Sequence, residues 1–264
     1  MSKYKPALLL VVVFLVVSCN SFNKLLKSKD YRLMYNKGLE YYQKKDHYRY
    51  TTLFEQIAPV YHGTLQSDTI EFYIAQGYYH QGDYLLAGYY FDKYRKDHPR
   101  SVFIEEAEYM YAYCFYKSAP RPQLDQDNSN KAISAFSEFI TKYPKSSRKA
   151  EINVIMNELK DKLIEKSYMS AKLYYDMGDY RAAITALKNS LQSFPDSKYR
   201  EEHLFMILES SFLLADNSVP SRRRERFQNA IDEYYNLVSE FPETKYLKEA
   251  ERMYKLSMKS IETK

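Results

Sequence analysis

The sequence predicts an all-α fold, a helical solenoid of about five helix pairs with a long linker helix between two lobes. Three observations predict it. A four-residue motif recurs as His98-Pro99-Arg100-Ser101, Tyr143-Pro144-Lys145-Ser146, Phe194-Pro195-Asp196-Ser197 and Phe241-Pro242-Glu243-Thr244, and a fifth copy, Tyr61-His62-Gly63-Thr64, has His for Pro. The copies stand 37, 45, 51 and 47 residues apart, periods that mark stacked helical repeats. Upstream of the prolines the spacing repeats without change: Ala75, Tyr78, Gly82-Asp83-Tyr84, Ala87, Phe91 and Pro99 in one unit, and Ala171, Tyr174, Gly178-Asp179-Tyr180, Ala183, Leu187 and Pro195 in another. Finally, residues 148–166 carry Ile152, Ile155, Leu159 and Leu163 at helical spacing, which predicts a long helix running on into the fourth pair.

Taken in order, the chain opens on Lys3 and Lys5 followed by an apolar run from Ala7 to Val17. Eleven apolar residues suit the middle of an export signal and are too short to span a bilayer as a helix. The run ends Val16-Val17-Ser18-Cys19, which resembles a bacterial lipobox, in which the cysteine is acylated and becomes the new N-terminus. Residues 1–18 are therefore expected to be a signal peptide, with lipidation at Cys19 and a lipidated linker over 19–30. Acyl chains hold a protein on a membrane because each buried methylene contributes about 0.8 kcal/mol. With Cys19 acylated, Cys114 is the one remaining thiol, so no internal disulfide is expected. Its setting, Tyr111-Ala112-Tyr113-Cys114-Phe115-Tyr116, reads as core.

Residues 31–147 are read as an N-terminal lobe of repeats 1–3, and residues 148–264 as the linker helix with repeats 4–5. The units resemble tetratricopeptide (TPR) repeats, in which small residues let antiparallel helices approach and aromatics fill the space between them. Each Pro stops a helix, since it lacks an N–H and clashes with the preceding turn, and the Ser or Thr after it is expected to cap the next helix. Two insertions, Ser118 to Asn130 and Asp216 to Glu225, are expected as loops.

Composition excludes several chemistries. Six glycines and no G-x-G-x-x-G or G-x-x-x-x-G-K-[ST] argue against nucleotide chemistry. The 39 basic and 34 acidic side chains are interspersed, so the net charge of +5 implies no nucleic-acid partner. His47, His62, His80, His98 and His203 are scattered, with no H-E-x-x-H or G-x-S-x-G, so no enzyme and no cofactor are expected. Asp125-Gln126-Asp127-Asn128 echoes a calcium loop but lacks its Gly and distal Glu, so no metal is expected there.

A binding surface is legible instead. Positions five and twelve of the first helices read Tyr35, Phe72, Tyr109 and Tyr168, and Tyr42, Tyr79, Tyr116 and Tyr175, with Tyr113 at position nine of the third unit. Such a ladder either lines a concave groove, where flat rings and hydroxyls suit an extended aromatic-rich peptide, or turns into the interhelical core. The run Arg222, Arg223, Arg224 and Arg226 either docks an acidic partner or anionic headgroups, or is a solvated helix start.

The lipobox, the five units, the insertion Pro120-Arg121 to Leu124-Asp125-Gln126 and the run from Leu159 to Ile184 together resemble the BamD family of β-barrel assembly lipoproteins, over roughly Tyr31 to Leu256. The resemblance implies a lipoprotein on the periplasmic face of the outer membrane, docked on the periplasmic POTRA domains of a BamA-like barrel and helping to recruit unfolded outer-membrane proteins. It associates N-terminal repeats with substrate and C-terminal repeats with the barrel protein. The sequence Asn20-Ser21-Phe22-Asn23-Lys24 lacks the acidic cluster of a surface-export signal, in keeping with a periplasm-facing anchor. The competing reading is another TPR lipoprotein, a scaffold in envelope or cell-division assembly.

Overall fold

A computed structural model describes residues 21–262. A short helix, α1 (21–26), leads into eleven more: α2 (Tyr31–Gln43), α3 (His47–Tyr61), α4 (Leu65–His80), α5 (Tyr84–Asp97), α6 (Ile104–Ser118), α7 (Asp127–Lys142), α8 (Lys149–Asp176), α9 (Tyr180–Ser193), α10 (Arg200–Asp216), α11 (Pro220–Glu240) and α12 (Leu247–Glu262). No strand occurs among the described residues. The five expected pairs are α2–α3, α4–α5, α6–α7, α8–α9 and α10–α11, and α8 is the long helix, 28 residues without a break. Helix α12, which the repeat pattern does not announce, buries Ala250 and Met253 against Leu237 of α11.

The chain forms two compact units. One comprises residues 21–120 and 127–156, the other 121–126 and 157–262. The core of the first is built on Met34, Tyr50, Leu53, Phe54, Ile57, Ile70 and Ile74. In the second, Ala171, Ala183, Leu187, Met206 and Ile207 pack together, and Phe205 stacks on Tyr246 with ring centroids 4.1 Å apart.

The turns inside the pairs share one mechanism. Gly82 and Gly178 adopt φ of 83° and 75°, a left-handed conformation that costs glycine nothing. Their N–H groups and those of the following Asp donate back to the last carbonyls of α4 and α8, as in Gly82 N–H to Tyr79 and Asp83 N–H to Tyr78. Asp83 and Asp179 then accept from the N–H of Leu86 and Ala182 and start the next helix. The first pair makes the same turn at Lys45, with φ of 56°, and Asp46.

The junctions between pairs differ from the expectation. The hydroxyls of Ser101, Ser146, Ser197 and Thr244 accept from the N–H two residues on, before the helix begins, and so close a turn rather than cap a helix. Three of them donate in turn to a carboxylate in the first turn of the preceding pair: Ser101 to Asp68, Ser146 to Glu105 and Thr244 to Glu201. The motif thus ties successive first helices together at one end.

Three segments expected to be irregular are more ordered. Residues 21–26 of the expected linker form α1, which buries Phe22 edge-on to Tyr41 and under the Arg49 guanidinium, while Gln56 donates to the Leu26 carbonyl at 2.8 Å. The second insertion is a three-residue turn, because Pro220 at the first turn of α11 has the φ a helix needs and extends α11 to 21 residues. The first is a loop only over 119–126, with α7 starting at Asp127.

Candidate peptide groove and partner surface

The tyrosine ladder is anchored by its hydroxyls. Tyr42 donates to Gln76 Oε1 at 3.0 Å, Tyr168 to Glu202 Oε1 at 2.9 Å, and Tyr175 to Glu209. In each case the acceptor lies 34 residues on, on the first helix of the next pair. Tyr109 donates to Glu151 Oε1 at 3.0 Å and lies beneath the Arg148 guanidinium, 3.8 Å from the ring centroid. These bonds span successive first helices and fix their spacing. Burial first, and then the hydrogen-bonded carboxylate, raises the pKa of Tyr109, Tyr168 and Tyr175 above the ordinary phenol value. The three phenols therefore stay neutral donors at physiological pH.

The rings divide between the two readings. Phe72 and Tyr109 are each only 3% exposed, which removes them from the ligand-facing set. Phe72 stacks on Phe103 at 4.6 Å, and Tyr109 packs between Phe136 and Phe139. Tyr35, Tyr42, Tyr79, Tyr113, Tyr116, Tyr168 and Tyr175 are half-buried. Tyr42 stacks on Tyr73 at 3.8 Å, Tyr168 on Tyr199 at 4.1 Å, and Tyr35 lies 5.6 Å from Tyr61. Tyr79, Tyr113 and Tyr116 form a chain of neighbouring rings, 6.1 and 5.4 Å apart, and burial pushes the Tyr79 phenol up to about 12. What the half-buried rings offer a ligand is edges and partial faces. The hydroxyls of Tyr42, Tyr168 and Tyr175 are already donated within the protein. Sequence reasoning missed the acceptors Gln76, Glu202 and Glu209, although a polar residue 34 positions after a tyrosine is a readable signal.

The arginine run splits as well. Arg223 donates to the carbonyl and carboxylate of Asp216, both at 2.9 Å, and Arg226 donates to the Ser218 hydroxyl, so both close the α10–α11 turn. Arg222 and Arg224 are exposed and face solvent. In the 119–126 loop, buried Gln126 donates to the carbonyls of Arg121 and Leu124 at 2.9 and 3.1 Å, and Lys166 reaches Leu124 at 2.8 Å. No group of three or more His, Cys, Asp or Glu able to hold a metal occurs among the described residues. Cys114 is buried, and burial pushes its thiol up to about 12, so it is an inert core residue. Among the described residues no helix is long and apolar enough to cross a membrane. Cys19 and the apolar leader lie outside them.

Residues 27–226 match the family YfiO, described as an outer membrane lipoprotein. Among curated proteins, the outer membrane protein assembly factor BamD of Rickettsia prowazekii is 22% identical over 181 residues, 69% of this chain and 72% of that protein. BamD of Neisseria gonorrhoeae is 25% identical over 169 residues, 60% of each chain. Of this second relative the chain therefore spans less than two thirds. Among solved structures, the TPR2AB domain of yeast Sti1 in its pHSP90 complex aligns with a TM-score of 0.40 at 12% identity, covering 86% of this chain and 98% of that one.

Proposed function

Because the chain belongs to the YfiO family of outer membrane lipoproteins, we propose that it is a non-enzymatic factor in outer-membrane protein assembly, anchored on the periplasmic face through Cys19. In this reading it docks on the periplasmic domains of a BamA-like barrel and helps to recruit unfolded β-barrel proteins. The observation that carries the reading is the extent of the family match, which runs from just after α1 into the second turn of α11 and so takes in four complete pairs and the first helix of the fifth rather than one generic pair.

The half-buried rings of Tyr79, Tyr113 and Tyr116 are the stretch of the ladder best suited to an unfolded barrel segment. Such segments are rich in aromatics, and ring edges contact them at low entropic cost. Arg222 and Arg224, exposed at the start of α11, are offered as contacts for an acidic partner surface. The anchor would sit close to the folded protein, since α1 begins two residues after Cys19.

The test is affinity capture from mildly solubilised outer membranes with a C-terminally tagged chain, beside a Cys19→Ala control, with partners identified by mass spectrometry. A BamA-like barrel with POTRA domains is the expected partner, and release of the Cys19→Ala chain from the membrane the expected control. Recovery of division or peptidoglycan proteins in its place would move the protein to the scaffold reading.

A further inference from the structure

The first helices of the pairs can be compared position by position. Tyr73, Gly77 and Gln81 of α4 correspond to Met110, Cys114 and Ser118 of α6, to Met206, Ser210 and Leu214 of α10, and to Met169, Leu173 and Met177 of α8. On three of these helices the face is closed by the second helix of the preceding pair. Gly77 lies under Thr51 and Tyr50 of α3, Cys114 lies against Gly88 of α5, and Met206 packs with Ala183 and Leu187 of α9. The central residue is accordingly buried each time: Gly77, Cys114 and Ser210. On α8 it is not. Leu173 is 57% exposed, Met169 38% and Met177 70%, one turn apart on a single stripe.

Helix α2 shows what a face finished for water looks like in this protein. Among the described residues no pair precedes it, and its corresponding positions are Asn36 and Glu40, both exposed. Polar outer faces are how terminal repeats of a solenoid stay soluble. The α8 stripe has the exposure of such a face with the composition of an interior one, the mark of a surface covered in an assembly.

We propose that the Met169, Leu173 and Met177 face of α8 docks an amphipathic helix of a partner protein, seated as α3, α5 and α9 are seated on α4, α6 and α10. The docked helix continues the interface that the chain builds three times within itself, so its contacting residues are small or aliphatic and one turn apart, like Ala183 and Leu187. Two methionines beside one leucine suit such a site, since unbranched thioethers repack around whatever side chain arrives. The second helices α3, α5, α9 and α11 already use their apolar faces within the chain and are not free to fill the same seat on a second copy.

The experiment places the photo-crosslinker p-benzoylphenylalanine at Leu173 of the full chain in its own cells, with Val154, 69% exposed on the same helix, as the control position. The crosslinked peptides are then sequenced. The inference requires that Leu173, and not Val154, joins one partner within a segment of helical amphipathic pattern. It also requires that Leu173→Asp lowers recovery of that partner at least tenfold while the circular dichroism and melting of the chain are retained. A crosslink into a strand or loop, into a second copy of the chain, or equally from both positions would overturn it, as would unchanged recovery with Leu173→Asp. The inference does not depend on the assembly role: a helical partner from outside the barrel machinery would sink that role and leave the docking face standing.

Discussion

Tyr168 and Tyr175 divide their labour between ring and hydroxyl, and the two parts can be separated by substitution. The Tyr168 ring stacks on Tyr199 while its hydroxyl bonds Glu202. Tyr168→Phe keeps the stack and loses one hydrogen bond to a charged acceptor, an expected cost of about 1 kcal/mol in urea unfolding. Tyr168→Ala also loses the ring and should cost about 3 kcal/mol. If ladder rings touch substrate through their edges, Tyr79→Ala with Tyr116→Ala should weaken binding of barrel-derived peptides while the helical signal persists; collapse of that signal would put both rings in the core. His203 supplies a pH dependence. It is buried, bonded to the Tyr199 carbonyl at 2.7 Å and to the Ser190 hydroxyl at 3.0 Å, and burial depresses its pKa below the ordinary value. The native chain thus binds fewer protons here than the unfolded one. Its contribution to stability is complete above the unfolded value of about 6.5 and declines as pH falls through it. Replacing His203 with Gln should flatten the loss of stability between pH 7 and pH 5.

At the scale of helices and turns, Lys45 occupies the left-handed position that Gly82 and Gly178 hold in their own turns. A side chain there costs about 1 kcal/mol, so Lys45→Gly should raise the unfolding midpoint by a corresponding amount. The reverse logic applies at Gly77, where an added Cβ would stand 1.8 Å from Thr51 Oγ1 and 2.9 Å from the Tyr50 ring. Both neighbours are fully packed, so Gly77→Ala should destabilise by about 3 kcal/mol, measured by the same unfolding.

These turns also show why so much of the fold was legible. Gly-Asp-Tyr and Pro-x-Ser carry their structural consequences locally, so pair number, pair boundaries and the long α8 follow from spacing alone. The misreadings came where tertiary contacts decide. Phe22 docks α1 through Tyr41 and Arg49, contacts no local pattern announces. Local chemistry presents Ser101 and its counterparts as caps and cannot foresee a carboxylate 33 residues away. The ladder was found by register, but which rings are covered depends on neighbours such as Phe103 and Phe136, which stand outside it.

Across the whole molecule, the two units present different surfaces. The first carries the continuous ring chain of Tyr79, Tyr113 and Tyr116, and the second the open apolar stripe of α8 with Arg222 and Arg224. Among the described residues neither unit holds a group of three or more His, Cys, Asp or Glu able to bind a metal. In the proposed assembly role, these surfaces would serve to hold and position other polypeptides. The measurement that bears most directly on this role is depletion of the protein in its native cell, followed by quantifying folded β-barrel proteins in the outer membrane by their heat-shifted electrophoretic mobility. The account predicts that folded barrels fall as the protein is lost and recover with the wild-type chain but not with Cys19→Ala. Unchanged levels of folded barrels after complete depletion would contradict it.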